Sequence, residues 1–405
     1  MKKMKCIIVS PVVSHPPLSG NSARINETVT ALKSLDIDVT FVLCPTKAMN
    51  TRKQSGVMEE VYQDNYKELN NGELCRGTVS MALLGKIKKF VKLGNPRLAQ
   101  KLHDFIFKDG FIDTKPQKEF EHLVAKIKPD FVLVEYALLS KLIVNLPNHI
   151  LTMVDTHDRF SDRNQRIRDI GGTGFWLSLS KKQELTLLNR FDKVIAIQKH
   201  EGQFFASLLG PQKSKVLTLS ILSPPNQTHA TDFTESKDIG FIGSSNKHNL
   251  EGLKLFLEHQ WPKIRQALPD ARLLVAGAKY PELNSWESEN VDFLGRVDSL
   301  DDFYQQCSII INPCITGSGL KIKSIEAMKH AKSLVTTSEG AEGLEDAETY
   351  GLFIKDLTTD SYAMKCIELL TDNDANRQYG MKNSTFIQQS YMTSIKSLDT
   401  ILTVK

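Results

Sequence analysis

The densest cluster of chemistry-bearing residues lies between Asn312 and Met328, in the stretch NPCITGSGLKIKSIEAM. Lys321 and Lys323 sit there beside Gly317, Ser318, Gly319 and Leu320, and Glu326 follows one turn after Lys323. Two cations next to a glycine loop and a helix start can grip an anion. The first N–H groups of a helix lack intrahelical partners, and its dipole favours negative charge at that end. Helical spacing puts Glu326 on roughly the face of Lys323, where a carboxylate can accept hydrogen bonds from hydroxyls. The stretch reads as a phosphate cradle. Taken alone, it reads equally well as an ordinary surface helix carrying a Lys323–Glu326 pair worth ~0.2–0.5 kcal/mol.

A second candidate is His157, in DTHDRFSDRNQRIRDIGG, directly after the apolar run from Ile150 to Val154. A histidine just past the C-terminal end of a parallel strand lies where doubly wound folds hold ligands. Asp155 and Asp158 flank it and are expected to orient the imidazole or raise its pKa. A loop histidine with solvated neighbours is the plainer reading of these residues alone. Arg159, Arg163, Arg166 and Arg168 offer charge to an anionic acceptor, or simply face water. The D-x-D triplets at Asp36/Asp38 and Asp372/Asp374 read as a turn and a helix cap, so no metal site is assigned.

The elements that must position these residues follow from periodicity. Short β-branched runs predict buried parallel strands at Lys5–Val12, Asp38–Leu43, Asp130–Leu139, Ile150–Val154, Lys193–Ile197 and Lys215–Leu219. The first is followed by a Pro/Gly loop and a helix with Ile25, Val29 and Leu32 on its core face, a βαβ opening. Residues 46–80 are polar and weakly patterned and read as variable helices and loops, whereas 174–190 read as a helix. The apolar-poor stretch 223–237 reads as a linker. A second strand–turn–helix series begins at Ile239, with strands at Ala271–Gly277, Val291–Gly295, Cys307–Ile311 and Ser333–Thr337. In the cradle helix, Ile322, Ile325 and Met328 form the expected buried face. The predicted organisation is two Rossmann-like α/β domains, 1–222 and 238–385, joined by the linker.

Composition bounds the rest. With 405 residues, two cores are expected rather than one. Hydrophobic content of 41% and charged content of 24% are globular averages, and a net charge of +4 argues against a nucleic-acid partner. The 6 cysteines form no C-x-x-C pair and read as small core residues in a reducing cytoplasm. MKKMKCIIVSPVV reads as a first strand rather than a signal peptide, and no run approaches the ~18 residues needed to span a bilayer. Residues 82–107 are a basic amphipathic segment. They suit peripheral contact with an anionic membrane face or an anionic acceptor, or a solvated helix face over the core. The G-x-G-x-x-G fingerprint of NAD-binding folds is absent.

From Gly317 to Leu344 the sequence GSGLKIKSIEAMKHAKSLVTTSEGAEGL resembles the donor-nucleotide signature of family 4 of the retaining glycosyltransferases. It is most similar to the bacterial branch reading G-S-G-x-[RK]-x-K followed by E-A-M. The resemblance implies the GT-B fold, with two domains facing across a cleft and a C-terminal helix (386–405) returning to the first. It implies sugar transfer, hexosyl in type, from a nucleoside-diphosphate sugar (UDP or GDP type) to a glycan, lipid-linked or protein acceptor, as in polysaccharide biosynthesis. By the same resemblance anomeric configuration is retained and neither metal nor cofactor takes part. Glu326 would bind the ribose, Lys321 and Lys323 the diphosphate, and His157 would approach the transferred sugar. Gly20, Gly243, Ser244, Arg296 and Val297 would line the donor site, Arg296 and Val297 against the base.

The sequence departs from the pattern in three places. Ser318 stands where the fuller motif has a glutamate, and Ser244 and Asn249 where many relatives carry cations. No closely spaced carboxylate pair of the kind retaining glycosidases use is evident. The other readings are a sugar-nucleotide epimerase of similar fold and a non-catalytic sugar-nucleotide-binding subunit.

Overall fold

The computed structural model describes residues 3–17, 19–45, 55–69, 112, 114–169, 178–226, 236–244, 246–316 and 319–403. The basic segment 82–107 lies outside these residues, as do Gly317, Ser318 and Arg168's side chain. The chain divides into two compact units, Met1–Ser223 with Ile395–Lys405, and Pro224–Ser394.

The first unit holds seven strands: β1 Lys5–Ser10, β2 Asp38–Leu43, β3 Tyr66–Glu68, β4 Phe131–Glu135, β5 Leu151–Asp155, β6 Lys193–Ala196 and β7 Val216–Thr218. They form one sheet in the order β3-β2-β1-β4-β5-β6-β7, and every pairing is parallel. Such a sheet is covered on both faces, so its strands are apolar without alternation. Cys6, Ile7, Ile8 and Val9 are all fully buried. Phe41, Phe120, Phe131, Phe191 and Phe205 fill the same core, each contributing ~1.5–3 kcal/mol by leaving water. Helix α1, Gly20–Ser34, buries Ile25, Val29 and Leu32 as its spacing predicts.

The second unit holds β8 Asp238–Gly243, β9 Arg272–Gly277, β10 Val291–Gly295, β11 Ile309–Asn312, β12 Ser333–Thr336 and β13 Leu352–Ile354. Their order is β10-β9-β8-β11-β12-β13, again parallel throughout. Trp261, Phe241, Phe256 and Tyr362 pack its core. Three further helices matter below: α2 Lys181–Leu188, α3 Lys247–His259 and α4 Ile322–Lys329. The last helix, α5, runs from Asn373 to Thr403, and its residues from Ile395 onward belong to the first unit. There Leu398 and Leu402 are buried in the first core.

Several expectations need correction. The strand predicted over 130–139 stops at Glu135, because Tyr136 takes a left-handed backbone (φ 73°) that an extended strand cannot continue. Within 46–80, Tyr66–Glu68 is an edge strand too short to register as an apolar run. The helix read over 174–190 is Lys181–Leu188, with 170–177 outside the described residues. As expected, Asp36 is a left-handed turn residue, its carboxylate paired with Lys3 at 2.7 Å, and Asp372 Oδ1 caps the last helix by accepting the N–H of Ala375 at 2.9 Å. Among the described residues no helix is long and apolar enough to cross a membrane.

Candidate functional site

In the second sheet the order of connections reverses between β8 and β11, which are neighbours. In open parallel sheets, ligands bind beyond the strand ends at such a switch point. Glycines bring the backbone together here. A Cβ on Gly277 (φ 101°) would lie 2.2 Å from the carbonyl oxygen of Gly243. One on Gly252, in α3, would lie 2.1 Å from the carbonyl oxygen of Pro313. The helix after β8 therefore rests directly on the loop after β11.

Asn246 caps α3 by accepting the Asn249 N–H at 2.8 Å. The Asn249 amide donates to the Ser244 carbonyl at 2.9 Å and accepts from Lys323 Nζ at 2.6 Å. Lys323 also lies over the Phe241 ring, 5.1 Å from its centroid. Burial pushes its ammonium down to about 8; Cys314 opposes that shift and Lys321 adds to it. Lys323 is thus a partly buried cation held by a neutral amide and a ring face, not an exposed partner of Glu326. Asn249, read from sequence as a missing cation, is the group that holds the remaining one.

Lys321 is the N-cap residue of α4, and its ammonium donates to the Gly319 carbonyl at 2.9 Å and pairs with Glu342 at 3.1 Å. Helix α4 starts at Ile322, slightly later than the expected Leu320, which is half-buried. The start of α4 is pinned by Asn312 Nδ2 to Ser324 Oγ at 2.8 Å and by that hydroxyl to the Gly340 carbonyl at 2.8 Å. Glu326 is half-buried on α4, and its charge adds to the burial that raises the Tyr304 phenol. Gly243 ends β8 and Ser244 is exposed beside it. Arg296 and Val297 follow β10, the edge strand separated from β8 by β9. The second unit thus gathers Gly243, Ser244, Gly319, Lys321 and Lys323 at one sheet end.

The first sheet has its own switch point, between β1 and β4. Glu135 and Asp155 end β4 and β5 in register, so two buried carboxylates stand side by side. His157 donates from or accepts at Nε2 to Glu135 Oε2 at 2.6 Å, and its ring stacks on Tyr136 at 4.2 Å. Asp155 instead takes the Arg24 guanidinium, Nε to Oδ2 at 3.0 Å. Asp158 pairs with Arg163 at 2.8 Å. The carboxylate on the imidazole is therefore Glu135, and neither flanking aspartate fills that role. Burial pushes the Glu135 carboxyl up and His157 holds it back.

Arg24, Glu135 and Tyr136 are what sequence reasoning missed. A glutamate inside the apolar run DFVLVEYALL was the available signal, since a charge in a buried strand needs a partner. Ligand atoms of Glu135, Asp155 and His157 lie within 4.8 Å of one another, close enough to share a cation. Arg24 already supplies a positive charge there. Gly20 is the first residue of α1 and exposed, after the N-cap Ser19. Arg159 lies over the Phe204 ring at 3.6 Å, and Arg166 donates to the Arg159 carbonyl at 2.5 Å, so these arginines shape their own loop.

Residues 236–372 match the family described as glycosyl transferases group 1. A relative is an uncharacterized 44.6 kDa protein in the cps region of Klebsiella pneumoniae, 24% identical over 255 residues. That match takes in 57% of this chain and 63% of the relative, so it spans under two thirds of the relative's length. Among solved structures, S. aureus TarM, as a mutant bound to fondaparinux, alpha-GlcNAc-glycerol and UDP, is similar with a TM-score of 0.63 at 12% identity over 100% of both chains. The pneumococcal O-GlcNAc transferase GtfA, bound to UDP and GlcNAc, is similar with a TM-score of 0.64 at 10% identity over 99% of both chains. The fold, two parallel-sheet Rossmann-like units, is the one these transferase structures share.

Proposed function

We propose that this chain is a glycosyltransferase that moves a sugar from a nucleoside-diphosphate donor to a hydroxyl of a glycan, lipid-linked or protein acceptor. The observation that carries this reading is Lys323, a partly buried cation whose polar contact among the described residues is the neutral Asn249 amide. A charge removed from water without a counter-ion is costly, and an anionic ligand arriving at the switch point relieves that cost. The match of residues 236–372 to the glycosyl transferases group 1 family supports the same assignment. UDP is the first nucleotide to test, being named with both structural relatives.

In this mechanism Lys321 and Lys323 stabilise the departing diphosphate as its negative charge grows. Glu326 holds the ribose hydroxyls. The transferred sugar passes through an oxocarbenium-like state with retained configuration, and the leaving phosphate takes the acceptor's proton. His157 faces the sugar. Glu135 and Asp155 form the close carboxylate pair that sequence reading lacked, but Glu135 is engaged by the His157 imidazole and Asp155 by the Arg24 guanidinium, so neither is assigned as a nucleophile.

A thermal-shift panel of nucleoside diphosphates tests the donor site, since a bound ligand stabilises by mass action. A rise with UDP or GDP is expected, followed by sugar transfer to extracted acceptors that EDTA leaves intact. Absence of any nucleotide-dependent shift removes the reading, and EDTA-sensitive activity restored by Mn²⁺ overturns its metal-free part.

A further inference from the structure

The first unit contains a device that the donor site does not explain. His157 follows β5 with a left-handed backbone (φ 59°), and Tyr136, after β4, is left-handed too (φ 73°). Non-glycine residues rarely adopt positive φ, and such outliers persist where surroundings over-determine them. Here the two outliers face each other: the Tyr136 ring lies against the imidazole at 4.2 Å and 13°. Glu135 Oε2 holds Nε2 at 2.6 Å, and the ring is only 5% exposed. Contact at that distance needs a proton between nitrogen and oxygen. Nδ1, by contrast, has no hydrogen-bond partner among the described residues.

We propose that Glu135 is the positioning residue of His157: it takes the Nε2–H, fixes that tautomer, and leaves Nδ1 as a lone-pair acceptor for a ligand hydroxyl. Tyr136 fixes the ring plane. Arg24, Nε on Asp155 at 3.0 Å, balances the neighbouring carboxylate so that Glu135 remains available to the imidazole. A neutral imidazole offers one donor and one acceptor, and whichever nitrogen is claimed decides what the other presents. The ligand class at Nδ1 is therefore a hydroxyl donor, as on a sugar, and not an anion. The proposal rests on the glycosyltransferase reading only for the identity of that ligand.

The test begins with the protein itself. In ¹⁵N-labelled protein, long-range proton–nitrogen spectra, assigned by comparison with His157→Asn, should show His157 protonated at Nε2 and bare at Nδ1. Glu135→Leu should lose that preference and lower turnover by roughly ten- to a hundredfold, with the UDP dissociation constant within about twofold of the wild type. Glu135→Gln, which keeps an acceptor of the same reach, should retain the tautomer and most of the turnover. This variant carries the test if Glu135→Leu does not fold. A wild-type imidazole protonated at Nδ1 overturns the proposal, as does a folded Glu135→Leu with unchanged turnover. Wild-type protein that shows the Nε2–H form but transfers sugar to no acceptor overturns the activity and leaves the Glu135 assignment standing.

Discussion

The two switch points share a topology and differ in how they settle buried charge. At the first, Arg24 pairs with Asp155 and the His157 imidazole shares a hydrogen bond with Glu135. In the second, Lys321 has Glu342, while Lys323 has an amide and an aromatic face. A closed cluster, whose groups hold one another, orients them without needing a ligand. A cation held by dipoles is stable enough to fold and still gains from an anion. On the function proposed above, the same fold edge makes an orienting site in one unit and a receiving site in the other.

Removing a partner from the closed cluster should cost most. Arg24→Ala leaves Asp155 buried without its cation, and a loss of ~3–5 kcal/mol in unfolding free energy is expected by denaturant titration. A loss under about 1 kcal/mol would show that this cluster is not closed as described.

Lys323→Met should act in opposite directions on activity and stability. Turnover should fall at least about tenfold through loss of the charge that meets the leaving diphosphate. Stability should rise, because the folded ammonium sits at about 8 against an ordinary 10.5. A group depressed in the fold favours folding above its ordinary value and loses that contribution as pH falls through the folded one. Below pH 8 the wild type therefore carries the full penalty, and the methionine variant should be more stable by ~1–3 kcal/mol. The gap should narrow as pH rises from about 8 to 10.5. Equal melting temperatures at pH 7, with turnover unchanged, would erase the contrast between the units.

A subtler effect distinguishes receiving from orienting. At pH 9 Lys323 is largely neutral when empty, and an arriving diphosphate restores its charge. UDP binding followed by calorimetry in buffers of different ionisation enthalpy should show uptake approaching one proton at pH 9, fading towards pH 6. No uptake at pH 9 would separate Lys323 from the nucleotide. The smallest change is expected at Glu342→Gln. That carboxylate is 31% exposed, and its pair with Lys321 should be worth ~1 kcal/mol or less in melting experiments.

The strands and the grouping of Lys321 and Lys323 at a helix start were legible because their signals are local. Ile309–Ile311 is an uninterrupted apolar run, and Lys321, Lys323 and Glu326 follow in the next loop and helix. Other partners were hidden by distance along the chain. Arg24 meets Asp155 across 131 positions, and Lys323 meets Asn249 across 74, pairings that only the sheet order creates. Asn249 shows the difficulty best. Its type was read as a deficit because the partner that gives it a role comes from another element. His157 was found by its place after a strand, but its partner came from the neighbouring strand and not from its sequence neighbours.

Helix α5 makes the second unit an insert within the first, since the chain leaves the first unit near Ser223 and re-enters it at Ile395. Dissection of the gene is then asymmetric. A fragment covering 224–394 is one continuous piece, whereas a fragment ending at Ser223 is a torso lacking Leu398 and Leu402 from its interior. Supplied in trans, a peptide carrying the last residues should complement that torso, much as a missing keystone seats an arch.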